Sequence, residues 1–291
     1  KVTNVEGSTP DKTVIKVAVE EQSTGQVSLG VGFSSLDGAL GDIGISERNL
    51  LGRGQNLSFS FQGSAKRQEF DIGFTEPYFL TRDVSAGFDL FQVTRDRQDD
   101  SSFDERKGGG ALRLGYILGP DLRHTLRYQL KQTEIRNVKT EASRFIRDQA
   151  GKTTVSQISQ TFSYDKRDNR NNPTEGYVVS LTADLAGLGG DTRLARARVK
   201  SGYYLPLFED QVLSFLFQGG HVLGFGQDVG IAERFFIGGQ QFRGFSNSGL
   251  GPRDINTSDA LGGNTFYIGT AELTFPIGLP EGLGFKASVF T

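Results

Sequence analysis

Along most of this chain apolar and polar residues alternate one by one. Val27, Leu29, Val31 and Phe33 are separated by Ser28, Gly30 and Gly32. Leu57, Phe59 and Phe61 alternate with Ser58 and Ser60, and Phe70, Ile72 and Phe74 with Asp71 and Gly73. The longest run sets Leu122, His124, Leu126, Tyr128 and Leu130 against Arg123, Thr125, Arg127, Gln129 and Lys131. Successive side chains of a strand point to opposite faces, so each segment has an apolar and a polar face. The period predicts thirteen strands, near 26–34, 40–48, 56–63, 68–76, 83–94, 109–118, 121–136, 155–165, 176–186, 192–205, 211–223, 265–276 and 283–291.

A soluble sandwich would show the same alternation with its apolar face inward. Ordinary strands, however, are about 5–6 residues long, whereas many of these run to ten or more, the length of a tilted strand crossing a hydrocarbon core. The connections add a second signal. Tight turns are expected at 51–55, 77–82, 119–120, 206–210 and 277–282, all after even-numbered strands, and long loops at 95–108, 137–154 and 224–264, all after odd-numbered ones. The ten residues of 166–175 are the misfit. Short turns on one rim and long loops on the other characterise membrane barrels. The apolar phase, with Val27, Leu29, Phe59, Phe61, Phe70, Phe74, Leu126 and Tyr128, then faces lipid. Arg123, Arg127, Arg196, Arg198 and Lys200 face the lumen.

Composition agrees with this reading. Phe supplies 23 and Gly 39 of 291 residues, Met, Trp and Cys are absent, and the net charge is −2. Abundant Phe without any apolar run of about 18 residues excludes a transmembrane helix and suits apolar residues dispersed by alternation. The absence of Cys forbids disulfides and thiolate metal sites, and the charge gives no reason to expect nucleic acid. Residues 1–24 break the pattern. Asp11–Gln22 alternates weakly before the turn at Ser23–Gly25 and reads as the last strand of a separate soluble module. With Lys1 at the start and no signal peptide, the chain is expected to be a fragment whose N-terminus has been removed. His124 and His221 fall in different strands, and no zinc, phosphate-loop or nucleophile motif is present. No catalytic, cofactor or metal site is expected.

Within 224–264 the stretch Phe235–Arg253 is rich in aromatic residues and glycine, which a loop waving in water would not favour. It is expected to fold back into the lumen. An arginine there, Arg243, needs a carboxylate, because an unpaired buried charge is costly. Tyr267, Gly269, Ala271, Leu273 and Phe275 form the lipid-facing phase of the following strand, which turns Glu272 inward as an available partner.

Phe242-Arg243-Gly244-Phe245, preceded by Gly238-Gly239 and followed by Gly251-Pro252, resembles the Val-Arg-Gly-Phe loop motif of the BamA superfamily, departing only at Phe242. Asn49-Leu-Leu-Gly-Arg-Gly54, Thr75-Glu-Pro-Tyr-Phe79 and Asp168 with Pro173-Thr-Glu-Gly176 are similar to three turns of the same family, in the same order across some 200 residues. The resemblance implies an outer-membrane β-barrel with about 13 of an expected 16 strands present and the rest after Thr291. It implies that residues 1–24 end the last periplasmic POTRA domain, that residues 25–291 are barrel, and that Arg243 pairs with Glu272 in the lumen. The implied function is non-enzymatic assembly and insertion of barrel proteins. The clients would be unfolded outer-membrane proteins. The other partners would be outer-membrane lipids and lipopolysaccharide, and assembly lipoproteins bound mainly through POTRA domains. A secretion or translocation pore of the same superfamily is the alternative. The functional edge is expected at Gln26–Ser34, with Val27, Leu29, Gly30, Val31, Gly32 and Phe33, because glycines contribute no cross-strand contacts and weaken strand interiors.

Overall fold

The computed structural model describes every residue except 1, 7, 10, 11, 20, 21, 35, 36, 82, 209 and 279–284. Positions 11, 20 and 21 of the expected strand Asp11–Gln22, much of the turn at 277–282 and the first two positions of the strand at 283–291 therefore lie outside the described residues. A small hairpin comes first, β1 (Val2–Glu6) and β2 (Thr13–Val17), paired antiparallel from Val2↔Val17 to Glu6↔Thr13. The single strand expected there is thus one half of a pair. Val2-Thr-Asn-Val5 has no period of two, and so β1 left no signal.

The rest is one antiparallel meander. Its strands are β3 (Gly25–Ser34), β4 (Gly38–Leu50), β5 (Gln55–Ser64), β6 (Arg67–Glu76), β7 (Val84–Arg97), β8 (Phe103–Ile117), β9 (Leu122–Arg136), β10 (Gly151–Asp165), β11 (Gly176–Gly190), β12 (Leu194–Phe208), β13 (Gln211–Gly224), β14 (Thr265–Pro276) and β15 (Lys286–Phe290). Every strand pairs with its neighbours in sequence, from β3 at one edge to β15 at the other. All thirteen expected strands are present. Most of those from β7 to β13 run past their expected ends, several reaching 15 residues.

The loop expected at 95–108 is consequently wrong. Arg95 pairs with Glu105 and Arg97 with Phe103, leaving only 98–102 as a connection. The contrast between the rims narrows with it. On the rim expected to carry long loops only 137–150 and 225–264 are long, and 166–175 on the opposite rim outlasts the rest. The reason is physical. Beyond the apolar band both faces of a strand meet polar surroundings, so pairing continues where alternation has stopped.

Two chemically distinct faces follow from the register. Leu112, Leu114, Tyr128, Leu130, Leu181, Phe215 and Phe217 lie exposed on one face, and exposed apolar side chains gathered in this way mark a surface that meets lipid or a partner. The other face carries paired charges. Asp89 receives Arg113 at 2.9 Å and Arg127 at 3.4 Å, and Asp184 receives Arg198 at 2.9 Å and Arg196 at 3.8 Å. The two histidines serve packing and pairing. His124 is buried between Tyr116 and Phe162, and His221 meets the Thr265 hydroxyl at 2.6 Å.

Candidate functional site

The segment 225–264 folds against the charged face and crosses most of the sheet. Its stem packs into two apolar clusters. Val229 and Phe235 join Val155, Ala186, Leu194 and Val222 from β10 to β13. Ile231, Ala232, Phe236 and Leu261 join Phe103 of β8, Ile135 of β9, and Val138 and Ile146 of the 137–150 loop. On a flat sheet β8 and β12 would stand about 19 Å apart. Their side chains nevertheless meet on residues 232 and 233, so the sheet curls around the stem.

The meeting point is Glu233. Its carboxylate accepts from Lys131 of β9 and from Arg196 of β12, both at 2.7 Å, with side-chain exposures of 6%, 12% and 12%. Lys107 of β8 donates to the Ala232 carbonyl at 3.1 Å and pairs with Glu105 at 2.9 Å. Burial pushes the Glu233 carboxyl upward, but Lys131, Lys107 and Arg196 together outweigh it and hold the group down at about 2. The far side of the stem is tied to the neighbouring loops. Asp259 accepts from the Ser143 amide and from the Ser102 hydroxyl, both at 2.7 Å, and Asp254 accepts from the Ser143 hydroxyl at 2.6 Å.

The tip, 238–249, is attached differently. The Gly239 amide donates to the Phe245 carbonyl at 2.9 Å, and the Leu250 amide to the Ile237 carbonyl at 3.1 Å, closing a small ring of chain. Gly238 permits it: at φ 141° a Cβ there would lie 2.0 Å from the Ser246 carbonyl oxygen. The ring presents Arg243 to β14 and β15. Its guanidinium bonds Glu272 at 2.7 Å and lies 3.5 Å from the centroid of the Phe290 ring. Ser288 of β15, paired with Thr274, lies on the same face as the Glu272 carboxylate. Arg243 remains 46% exposed, so the latch is solvated where Glu233 is not. Phe245 rests on Phe242 at 5.2 Å yet stays 46% exposed. The ring is too small to cover both of its faces.

At the far end of the sheet β3 pairs, among the described residues, with β4 alone. Val27, Leu29, Val31 and Phe33 project from its apolar side with exposures from 68% to 94%. Gly30 and Gly32 face Asp42 and Leu40, and a Cβ on Gly30 would come within 2.1 Å of the Asp42 carboxylate. A side chain at 30 would therefore have to push the Asp42 carboxylate aside.

The model of the Omp85 superfamily domain matches residues 49–291. The chain belongs to the Omp85 superfamily. Within this Omp85 chain the match takes in β5 to β15, the whole stem and tip, and the three quoted turns. The chain is similar to the outer membrane protein assembly factor BamA of Neorickettsia risticii, with 34% identity over 279 residues, 95% of this chain and 38% of the relative. It thus spans about two fifths of that protein's length. The crystal structure of BamA from Haemophilus ducreyi lacking POTRA domains 1–3 superposes with a TM-score of 0.83 at 21% identity, covering 100% of this chain and 61% of that one. CdiB from Acinetobacter baumannii superposes with a TM-score of 0.57 at 15% identity, covering 96% and 52%. The fold is that of an outer-membrane β-barrel of the BamA type.

The Omp85 turns owe their sequences to local bonding. Asn49 accepts from the Gly54 amide at 2.7 Å, and Asp168 accepts from the Thr174 hydroxyl at 2.7 Å and the Thr174 and Glu175 amides at 3.0 and 3.1 Å. The Thr174 hydroxyl and those amides hold the Asp168 carboxyl well below its usual range. Glu233 and Phe290 carried no signal in the sequence. One is a lone acid in a loop and the other a strand residue whose role needs the loop in place.

Proposed function

We propose that this chain is the membrane barrel of an outer-membrane protein assembly factor, and that it promotes folding and insertion of client barrels without bond chemistry or cofactor. The observation that carries the reading is the relative named as an assembly factor, 34% identical along 95% of the chain. Two features give it a physical basis. In this reading strand β3, whose interior Gly30 and Gly32 weaken its pairing, is the strand that offers backbone groups for β-augmentation. The tip holds β14 and β15 through Arg243, Glu272 and Phe290. In this reading the clients are unfolded outer-membrane proteins arriving from the periplasm. The hairpin β1–β2 is the end of a POTRA domain, and assembly lipoproteins bind mainly through such domains. Outer-membrane lipid and lipopolysaccharide surround the apolar face.

Depletion of the full-length protein tests this directly. Loss of many unrelated outer-membrane barrels supports assembly, whereas loss of a single secreted protein with normal barrels refutes it. The role of β3 is tested separately in full-length protein freed of any native cysteine, by a disulfide joining Gln26–Ser34 to the C-terminal strand. Insertion should stop on oxidation and resume on reduction. Full activity of a completely crosslinked sample rejects the edge mechanism.

A further inference from the structure

Three consecutive glycines in β8 are not all explained by packing. A Cβ on Gly109 would lie 2.3 Å from the Leu130 carbonyl oxygen, so the approach of β9 requires glycine there. A Cβ on Gly108 would meet nothing closer than the Phe91 carbonyl oxygen at 3.7 Å and Gln92 Cγ at 3.9 Å, which is ordinary contact. On Gly110 the nearest atom would be the flexible end of Leu90 at 3.2 Å. The backbone would therefore accept a side chain at 108, yet carries none. Glycine inside a strand weakens it and often marks a place where another molecule approaches closely.

Gly108 and Gly110 lie on the outer, apolar face, in phase with Leu112. In register they stand between Gln92 and Leu90 of β7 and Gln132 and Leu130 of β9. The missing side chains leave a groove of about 730 Å³, walled by Phe88, Leu90, Tyr128 and Leu130. From Gly108 to Leu112 it runs about 13 Å along the strand. One register step toward the long-loop rim the lining becomes charged. Arg106 faces Glu134 across β8 and β9, and Lys152 follows on β10. Arg106 donates to the neutral Gln92 side chain at 2.9 Å. The next acid along, Asp104, is already held by Gln98 at 2.9 Å and Asn137 at 2.7 Å. Two cations and one acid thus crown an apolar groove with a bare backbone floor.

We propose that this groove binds one acyl chain of a phosphate-bearing lipid, with the phosphate held by Arg106 and Lys152. Cationic side chains at a membrane interface attract anionic headgroups. A chain laid on the glycine floor gains dispersion contacts from both walls that a lipid on a convex surface lacks.

The test uses the full-length protein in detergent, titrated with diphosphorylated lipid A and, separately, with its dephosphorylated form, and read by native mass spectrometry. The wild type should retain one molecule of the phosphorylated lipid, with roughly tenfold preference over the dephosphorylated form. Gly108→Leu fills the groove and leaves the charges, whereas the double variant Arg106→Gln/Lys152→Gln removes the charges and leaves the groove. Each should lose retention by a similar factor while keeping the gel mobility of the folded barrel. Wild-type retention by either variant, or equal retention of the two lipid forms by the wild type, overturns the proposal.

Discussion

Replacing Glu233 by glutamine keeps the shape of the stem and removes only its charge. Lys131, Arg196 and Lys107 are then left crowded in a space where the first two are only 12% exposed. Two routes give the size of the effect. Breaking a buried ion pair by neutralising one partner costs ~3–5 kcal/mol. Independently, the carboxyl is held at about 2 against an ordinary 4.5, a difference that corresponds to about 3 kcal/mol at ~1.36 kcal/mol per unit. Glutamine still accepts a hydrogen bond, which favours the lower figure. Because the folded-state value is depressed, this contribution is complete above the ordinary carboxylate value of 4.5 and fades as pH falls from there through about 2. The variant should accordingly be destabilised at pH 7 by about 3 kcal/mol and differ little from the wild type near pH 2. Urea unfolding followed by circular dichroism at the two pH values reads this, and limited proteolysis reports release of 225–264. A variant within ~0.5 kcal/mol of wild type at pH 7, with the segment still protected, refutes the idea that Glu233 fastens the stem.

Reversing the latch with Arg243→Glu should impair client insertion and shift unfolding by no more than ~1 kcal/mol, because the pair is solvated. Adding Glu272→Arg should restore part of the activity, and a double variant no better than either single argues against direct pairing. Asp259→Ala removes acceptors from the Ser143 amide and the Ser102 hydroxyl. It should cost ~1–3 kcal/mol and open the 137–150 loop to trypsin at Arg144 or Arg147, measured by cleavage rate. Leu181→Arg on the apolar face should destabilise the barrel in bilayers by ~2–4 kcal/mol, whereas a small effect there indicates that β11 faces water.

The strands were legible because burial in lipid on one side and charge on the other writes a period of two into the sequence. Leu122–Lys131 shows it most fully, and the register from Leu122↔Tyr164 to Leu130↔Ser156 keeps that phase. Where the surroundings are polar on both faces the code disappears, and residues 95–108 read as a loop although Arg95 pairs with Glu105. The inward phase of Glu272 could be counted along its strand, so its meeting with Arg243 was accessible to reasoning. Glu233 was not. Its significance depends on Lys107, Lys131 and Arg196, residues drawn together from strands far apart in sequence, and no local pattern marks such convergence.

The stem has a bearing on traffic. Its two apolar clusters touch β8, β9, β10, β11, β12 and β13 in turn, with Glu233 riveted between them. A polypeptide threading the interior would have to evict this stopper, break both clusters and strand three cations, then rebuild everything before the next passenger. The tip can let go of Glu272 without disturbing any of it. On the assembly reading proposed above, the interior stays corked and clients leave by the flank, sideways into lipid.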